Sequence, residues 1–208
     1  MIVGTVRHRV KTLSIASLVW LGVFCACGDE RATAEHLAFE VVDSLLGAVK
    51  QLNPEGMNFR PPAGFIAVPD SLVPRLESTL TARIPNREGI DLKLAYVSPQ
   101  HQAGLIASLI PGLQGIADTN VFVPGYRERL LRTYGAANVT IGDYWVDSVY
   151  VKNYMVTDSA EVRIQLICLM SGGTAVELQY VTPRSAYPKL LRALESSIGT
   201  LSSRKGGG

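Results

Sequence analysis

The chain has 208 residues, 47% of them apolar and 18% charged, with a formal charge of +2. That suits one domain, or one domain behind a targeting segment, and excludes general disorder because there is enough apolar material for a sizeable core. Taking Arg7, Arg9 and Lys11 from the 20 basic residues leaves 17 against 18 acidic ones, a charge of about −1, so no clustered basic face for nucleic acid remains.

The first element is a leader. Met1–Thr12 is basic, Leu13–Phe24 is apolar, and Cys25-Ala26-Cys27-Gly28 is small. That order is the pattern of a secretory signal peptide. Its apolar run is shorter than the roughly 20 residues a membrane span takes, and no later run is longer. "SLVWLGVFCACGDE" also resembles a bacterial lipobox at Cys27, with Ala26 before it and Gly28 after it. Phe24 stands where that motif usually has Leu. The resemblance implies cleavage before Cys27, a diacylglycerol on its thiol, and palmitate-type acyl chains that hold the protein to a membrane. Ordinary secretion is the alternative, since Ala26-Cys27-Gly28 and Ala32-Thr33-Ala34 are both small-x-small cleavage sites. With Cys25 discarded and Cys27 acylated, Cys168 is left without an intramolecular disulfide partner.

A helix is expected over Ala32–Leu52, where Leu37, Val41, Leu45, Val49 and Leu52 recur at helical spacing. Asn53-Pro54-Glu55-Gly56 ends it. Phe59–Pro69 reads as extended and broken by Pro61-Pro62 and Gly64. Asp70 or Ser71 then caps a helix running to Arg83. Pro85–Gly89 reads as a loop. Asp91–Val97 and Gly104–Ile110 are strands around a polar turn. Pro111–Pro124 reads as irregular and Tyr126–Tyr134 as a short helix.

The C-terminal part is a meander of Val139–Val156, Ala160–Met170 and Thr174–Thr182. In the second strand Ala160, Val162, Ile164, Leu166, Cys168 and Met170 form an apolar row, with Glu161, Arg163 and Gln165 facing away. In the third, Val176, Leu178 and Tyr180 oppose Glu177 and Gln179. Matching apolar rows requires Cys168 opposite Val176 and Leu166 opposite Leu178, which a three-residue Ser171-Gly172-Gly173 loop provides. Val139–Val156 is apolar on both faces, so it is either covered on both sides or bulged. Ser185–Leu201 is a helix with Pro188 in its first turn and an apolar stripe facing a sheet. The expected organisation is a lipoprotein-type signal peptide over 1–26, an N-terminal helix and linker over 27–58, an α+β domain over 59–201 and a flexible tail over 202–208.

"AVELQYVTPRSAYPKLLRALESSIGTL" resembles the closing strand, loop and helix of the PsbP/Mog1-like fold, and "FRPPAGFIAVPDS" resembles that fold's early strand. The resemblance implies a curved antiparallel sheet packed against helices, here with an additional N-terminal helix. It also implies an exported accessory protein, commonly a lipoprotein and usually not an enzyme.

No H-E-x-x-H motif, G-x-S-x-G elbow, phosphate-binding glycine loop or C-x-x-C pair is present. His36 and His101 fall in different elements, and a zinc site needs three or four converging ligands, so no metal site and no cofactor are expected. Asp143 and Asp147 would share a strand face about 13 Å apart, and Asp158 reads as a turn residue. Cys168 lies on the apolar row, where a thiol is inert. No catalytic residue is assigned. Tyr144, Trp145, Tyr150 and Tyr154 form either core or an interface.

The leading expectation is a membrane-anchored, non-enzymatic accessory lipoprotein on the periplasmic face of a bacterial membrane, binding another envelope protein. A periplasmic carrier of a small apolar ligand is the alternative, and a hydrolase is third.

Overall fold

The computed structural model describes residues 34–52, 56–83, 91–110, 116–169 and 175–203. The leader with Cys27, the loop expected at 85–89 and the Ser171-Gly172-Gly173 loop lie outside the described residues.

The strands are β1 (Glu35–His36), β2 (Lys50–Leu52), β3 (Met57–Phe59), β4 (Ile66–Ala67), β5 (Asp91–Ser98), β6 (Ala103–Leu109), β7 (Val139–Val146), β8 (Val149–Thr157), β9 (Glu161–Leu169), β10 (Ala175–Pro183) and β11 (Ser202–Ser203). The helices are α1 (Val73–Arg83), α2 (Ile116–Tyr134) and α3 (Tyr187–Gly199). Eight strands form one sheet in the order β1-β7-β8-β9-β10-β6-β5-β4, antiparallel except where β1 joins β7. β11, β3 and β2 form a small second sheet. The chain is therefore α+β, a large antiparallel sheet between helices, as expected.

The predicted pairing of β9 and β10 holds: Cys168 faces Val176 and Leu166 faces Leu178. Slipping this pair by one residue would turn Leu166, Cys168, Val176 and Leu178, all fully buried, toward the other face. On the side they share, α3 supplies Leu190, Leu194 and Ile198, and the small sheet adds Leu52, Met57 and Phe59. On the opposite side α2 lays Tyr126 and Leu130 over Tyr150, Tyr154, Ile167 and Leu169. α1 covers Leu92 and Ala95 near the far edge.

Four expectations need correction. The helix over Ala32–Leu52 does not form among the described residues 34–52, which hold β1, a short 3-10 turn at Asp43–Leu45, and β2. The apolar residues there serve different neighbours: Phe39 packs on Tyr144 with ring centroids 5.7 Å apart, and Leu52 enters the core. The backbone finds partners outside the segment. Val42 N–H donates to Ser196 Oγ at 3.3 Å, Ser196 Oγ–H donates to the Glu40 carbonyl at 3.2 Å, and Gly47 N–H donates to the Pro61 carbonyl at 2.8 Å. Tertiary partners thus override a periodicity that a helix would have used.

Second, Val139–Val156 is two strands. Val146 pairs with Val149 around Asp147-Ser148, and Asp147 takes φ +50°. A run of 18 residues is about three times the usual strand length, which was the signal for a hairpin. Third, α2 starts at Ile116, not Tyr126, and contains Pro124. Proline removes one helical hydrogen bond, but the C-terminal half is held by Tyr126 and Leu130 in the core. Fourth, the boundary expected at 58/59 falls inside the β2–β3 pair, and Ser202–Ser203 are a strand paired with Asn58 and Met57 instead of flexible tail.

Gly199 allows the N-terminal segment its close approach. A Cβ there would lie 2.6 Å from Phe39 Cβ and 3.0 Å from Val41 Cγ2. Gly199→Ala is therefore expected to destabilise the protein by about 1–3 kcal/mol through overpacking. Gly142→Ala, where a Cβ meets nothing within 4 Å, should leave the urea midpoint near wild type. Parallel urea melts of both variants check this.

Candidate functional site

The aromatic residues of the β7–β8 hairpin divide between the two sheet faces. Tyr144 points toward α3, while Tyr150 and Tyr154 point toward α2, and all three are buried. Of the two roles left open for them, core or interface, the structure gives these three side chains the core. Trp145 is half-buried at the sheet edge, with its ring 5.8 Å from His36 and 5.4 Å from Tyr150.

The α2 side of the sheet carries the polar set that alternation placed opposite the apolar row. Gln165, Glu177 and Gln179 are at most 5% exposed. Tyr126 from α2 places its hydroxyl 2.8 Å from Glu177 Oε1 and 2.9 Å from Gln165 Oε1. A phenol has one proton. Both contacts are met when it donates to Glu177 and the Gln165 amide, turned over, donates to the phenol oxygen.

The strand register extends this set. Asp143, Lys152, Ile167, Glu177 and Ser108 form one row across five strands. Lys152 Nζ lies 3.8 Å from Asp143 Oδ1, with the Lys152 side chain only 12% exposed, and Tyr150 donates its hydroxyl to Asp143 Oδ2 at 2.9 Å. Arg129 lies 5.5 Å above the Tyr126 ring, and Arg163 lies 5.7 Å above the Tyr134 ring. Of these contacts, Tyr126 with Glu177 and Gln165, and Arg163 with Tyr134, fasten α2 to the sheet. Two buried atoms, Ser108 Oγ and Asn153 Oδ1, have no hydrogen-bond partner among the described residues. Asn153 faces the α3 side, away from this row.

Sequence reading missed Gln165, Glu177 and Gln179 because alternation tells which face a residue takes, not what covers that face. The available signal was Ile167, Leu169 and Ala175, which are apolar and share the supposedly polar face.

The remaining candidates stay apart. His36 is on the β1 edge, and His101 is in the β5–β6 turn near the other edge. Asp147 occupies the hairpin turn and accepts from Ser148 Oγ at 3.0 Å, so it does not share a strand face with Asp143 as expected. Asp158 Oδ1 accepts from the N–H groups of Ala160 and Glu161 at 2.7 and 2.8 Å, the turn role expected of it. Those backbone bonds to Glu161 and Ala160 hold its carboxyl below the usual carboxylate range. Cys168 is fully buried, and burial pushes its thiol up, away from thiolate chemistry. Among the described residues, no group of three His, Cys, Asp or Glu side chains could hold a metal ion, and no helix is long and apolar enough to cross a membrane.

No family model and no curated protein matches the chain. Solved structures similar to it include cyanobacterial PsbP (CyanoP) from Synechocystis sp. PCC 6803, with 13% identity and a TM-score of 0.47, covering 76% of this chain and 92% of that one. A crystal structure from Bacteroides thetaiotaomicron VPI-5482 has 12% identity and a TM-score of 0.40, covering 74% of this chain and 47% of that one.

Tyr126→Phe removes the hydroxyl that donates to Glu177 and accepts from Gln165, and is expected to cost about 1–3 kcal/mol in urea unfolding. Asp158 gives a pH dependence of definite sign. Its folded-state pKa is depressed, so its contribution is present above the unfolded carboxylate pKa of about 3.9 and is lost as pH falls through the folded value. The urea midpoint gap between wild type and Asp158→Ala should therefore narrow as pH is taken from 7 to below about 3.9.

Proposed function

We propose that the chain is a bacterial envelope lipoprotein with a PsbP/Mog1-like domain, a non-enzymatic accessory protein held on the periplasmic face of a membrane. It binds another envelope protein. The observation that carries this reading is the leader: a basic start, an apolar run, and Ala26-Cys27-Gly28. The resemblance of "AVELQYVTPRSAYPKLLRALESSIGTL" to a family of exported accessory proteins supports it. Ala34, seven peptide steps after Cys27, already packs against the core under α2, so an acyl anchor at Cys27 would hold a folded domain close to the lipid. A surface for the partner is available at the other sheet edge, where Ile66 and Val97 are cross-strand neighbours with exposures of 60% and 45%.

Membrane fractionation with mass spectrometry of the N-terminal peptide tests the reading. The wild-type protein is expected in the membrane fraction with a diacylglyceryl Cys27 at its N-terminus. Cys27→Ala is expected to leave that fraction. Co-purification from detergent is expected to bring down an envelope protein in stoichiometric amount. A soluble wild-type protein with an unmodified N-terminus beyond Gly28 would sink the proposal.

A further inference from the structure

The sheet order sets a geometric limit on an anchored domain. β1 lies at one edge of the eight-stranded sheet and β4 at the other. Seven strand spacings separate them, about 34 Å across the sheet. The chain enters at the β1 edge: Ala34 packs beneath α2, and Leu37 N–H donates to the Trp145 carbonyl at 2.9 Å. From Cys27 to Ala34 the chain reaches at most about 25 Å, whatever its conformation. The tether is therefore shorter than the sheet is wide. The β1–β7 edge always stays close to the anchor, while the β4–β5 edge is free to point away.

The edge held near the lipid has the chemistry of a membrane interface. Leu37 is 40% exposed. The Trp145 ring is half-buried between His36 and Tyr150. Leu37 extends from one face of this edge and Trp145 from the other, an aliphatic and an amphipathic aromatic side chain of the types enriched at the boundary between headgroups and acyl chains. Glu35, exposed beside them, remains in the aqueous headgroup layer.

We infer that the β1–β7 edge, through Leu37 and Trp145, rests on the surface of the bilayer that holds the lipid anchor, and that the β4–β5 edge with Ile66 and Val97 faces away from it. This rests on acylation at Cys27. The partner of the first edge is the lipid surface itself. The second edge is then the one a protein partner meets.

The mature chain carries its own reporter. Of the two tryptophans, Trp20 lies in the leader, so Trp145 is the only one after Cys27. The native processed protein, purified from membranes, is reconstituted in phosphatidylcholine–phosphatidylglycerol vesicles with or without brominated acyl chains. A matched sample carries Ile66→Cys labelled with an environment-sensitive fluorophore, at a site exposed enough to accept it. Mass spectrometry of the N-terminus is run on the same samples. The expected result is acylated Cys27, loss of Trp145 emission in brominated vesicles, and no response at position 66. Acylated Cys27 with Trp145 emission unchanged would overturn the orientation alone. So would an equal response at both positions, which would mean the domain lies flat or tumbles. An unmodified N-terminus would overturn the anchor and the orientation together. Leu37→Glu should fold as wild type does, because that side chain is exposed, and should restore part of the lost Trp145 emission.

Discussion

β9 and β10 are buried on both faces, and that constraint organises the rest of the molecule. Their α3-facing row, from Val162, Ile164, Leu166 and Cys168 to Val176, Leu178 and Tyr180, is buried. Their α2-facing row mixes Ile167, Leu169 and Ala175 with Gln165, Glu177 and Gln179. A strand with apolar side chains on both faces needs a layer on each side. α3 and the small sheet form one layer, and α2 forms the other. The hairpin of β7 and β8 obeys the same demand, with Tyr144 turned one way and Tyr150 and Tyr154 the other.

The two layers are attached by different chemistry. α3 is held by packing and by the hydroxyls of its last turn. Tyr180 meets Ser197 Oγ at 2.9 Å, Ser197 donates to the Arg60 carbonyl at 2.5 Å, and Arg60 N–H donates to Thr200 Oγ1 at 2.8 Å. Those bonds, with the ones from Ser196, tie down the extended chain before β2 and the Arg60–Pro62 segment. The serines near the end of α3 therefore supply the backbone partners that a sheet or helix would otherwise have supplied. α2 instead sits on a polar set of carboxylate, amide and phenol groups. Burying such groups is costly unless each is satisfied, and satisfying them fixes the helix in one position.

The large sheet has two different edges. The N-terminal one receives the incoming chain and carries an aromatic pair. The other carries exposed aliphatic side chains on two short-paired strands. That asymmetry belongs to the strand order: parallel pairing of β1 onto β7 closes one edge with the incoming chain, while β4, two residues long, leaves the other open. Edges of the second kind are where other chains attach.

Much of the fold was legible in the residues themselves. Alternation in β9 and β10, together with a three-residue loop, specified their register, because a one-residue slip would part Leu166 and Cys168 from Leu178 and Val176. The apolar stripe and Pro188 marked α3, and the polar turn at Ser98–Gln102 marked the β5–β6 pair. What only the tertiary structure decided were the features that depend on a distant partner. The spacing of Leu37, Val41, Leu45, Val49 and Leu52 is helical, but Ser196, Pro61 and Pro62 hold that segment extended. Glu177 and Gln165 alternate as solvent-facing residues do, but α2 covers them. Local sequence states which way a side chain points and how a backbone prefers to turn. Whether water or another element waits on that side is settled only when the whole chain is in place.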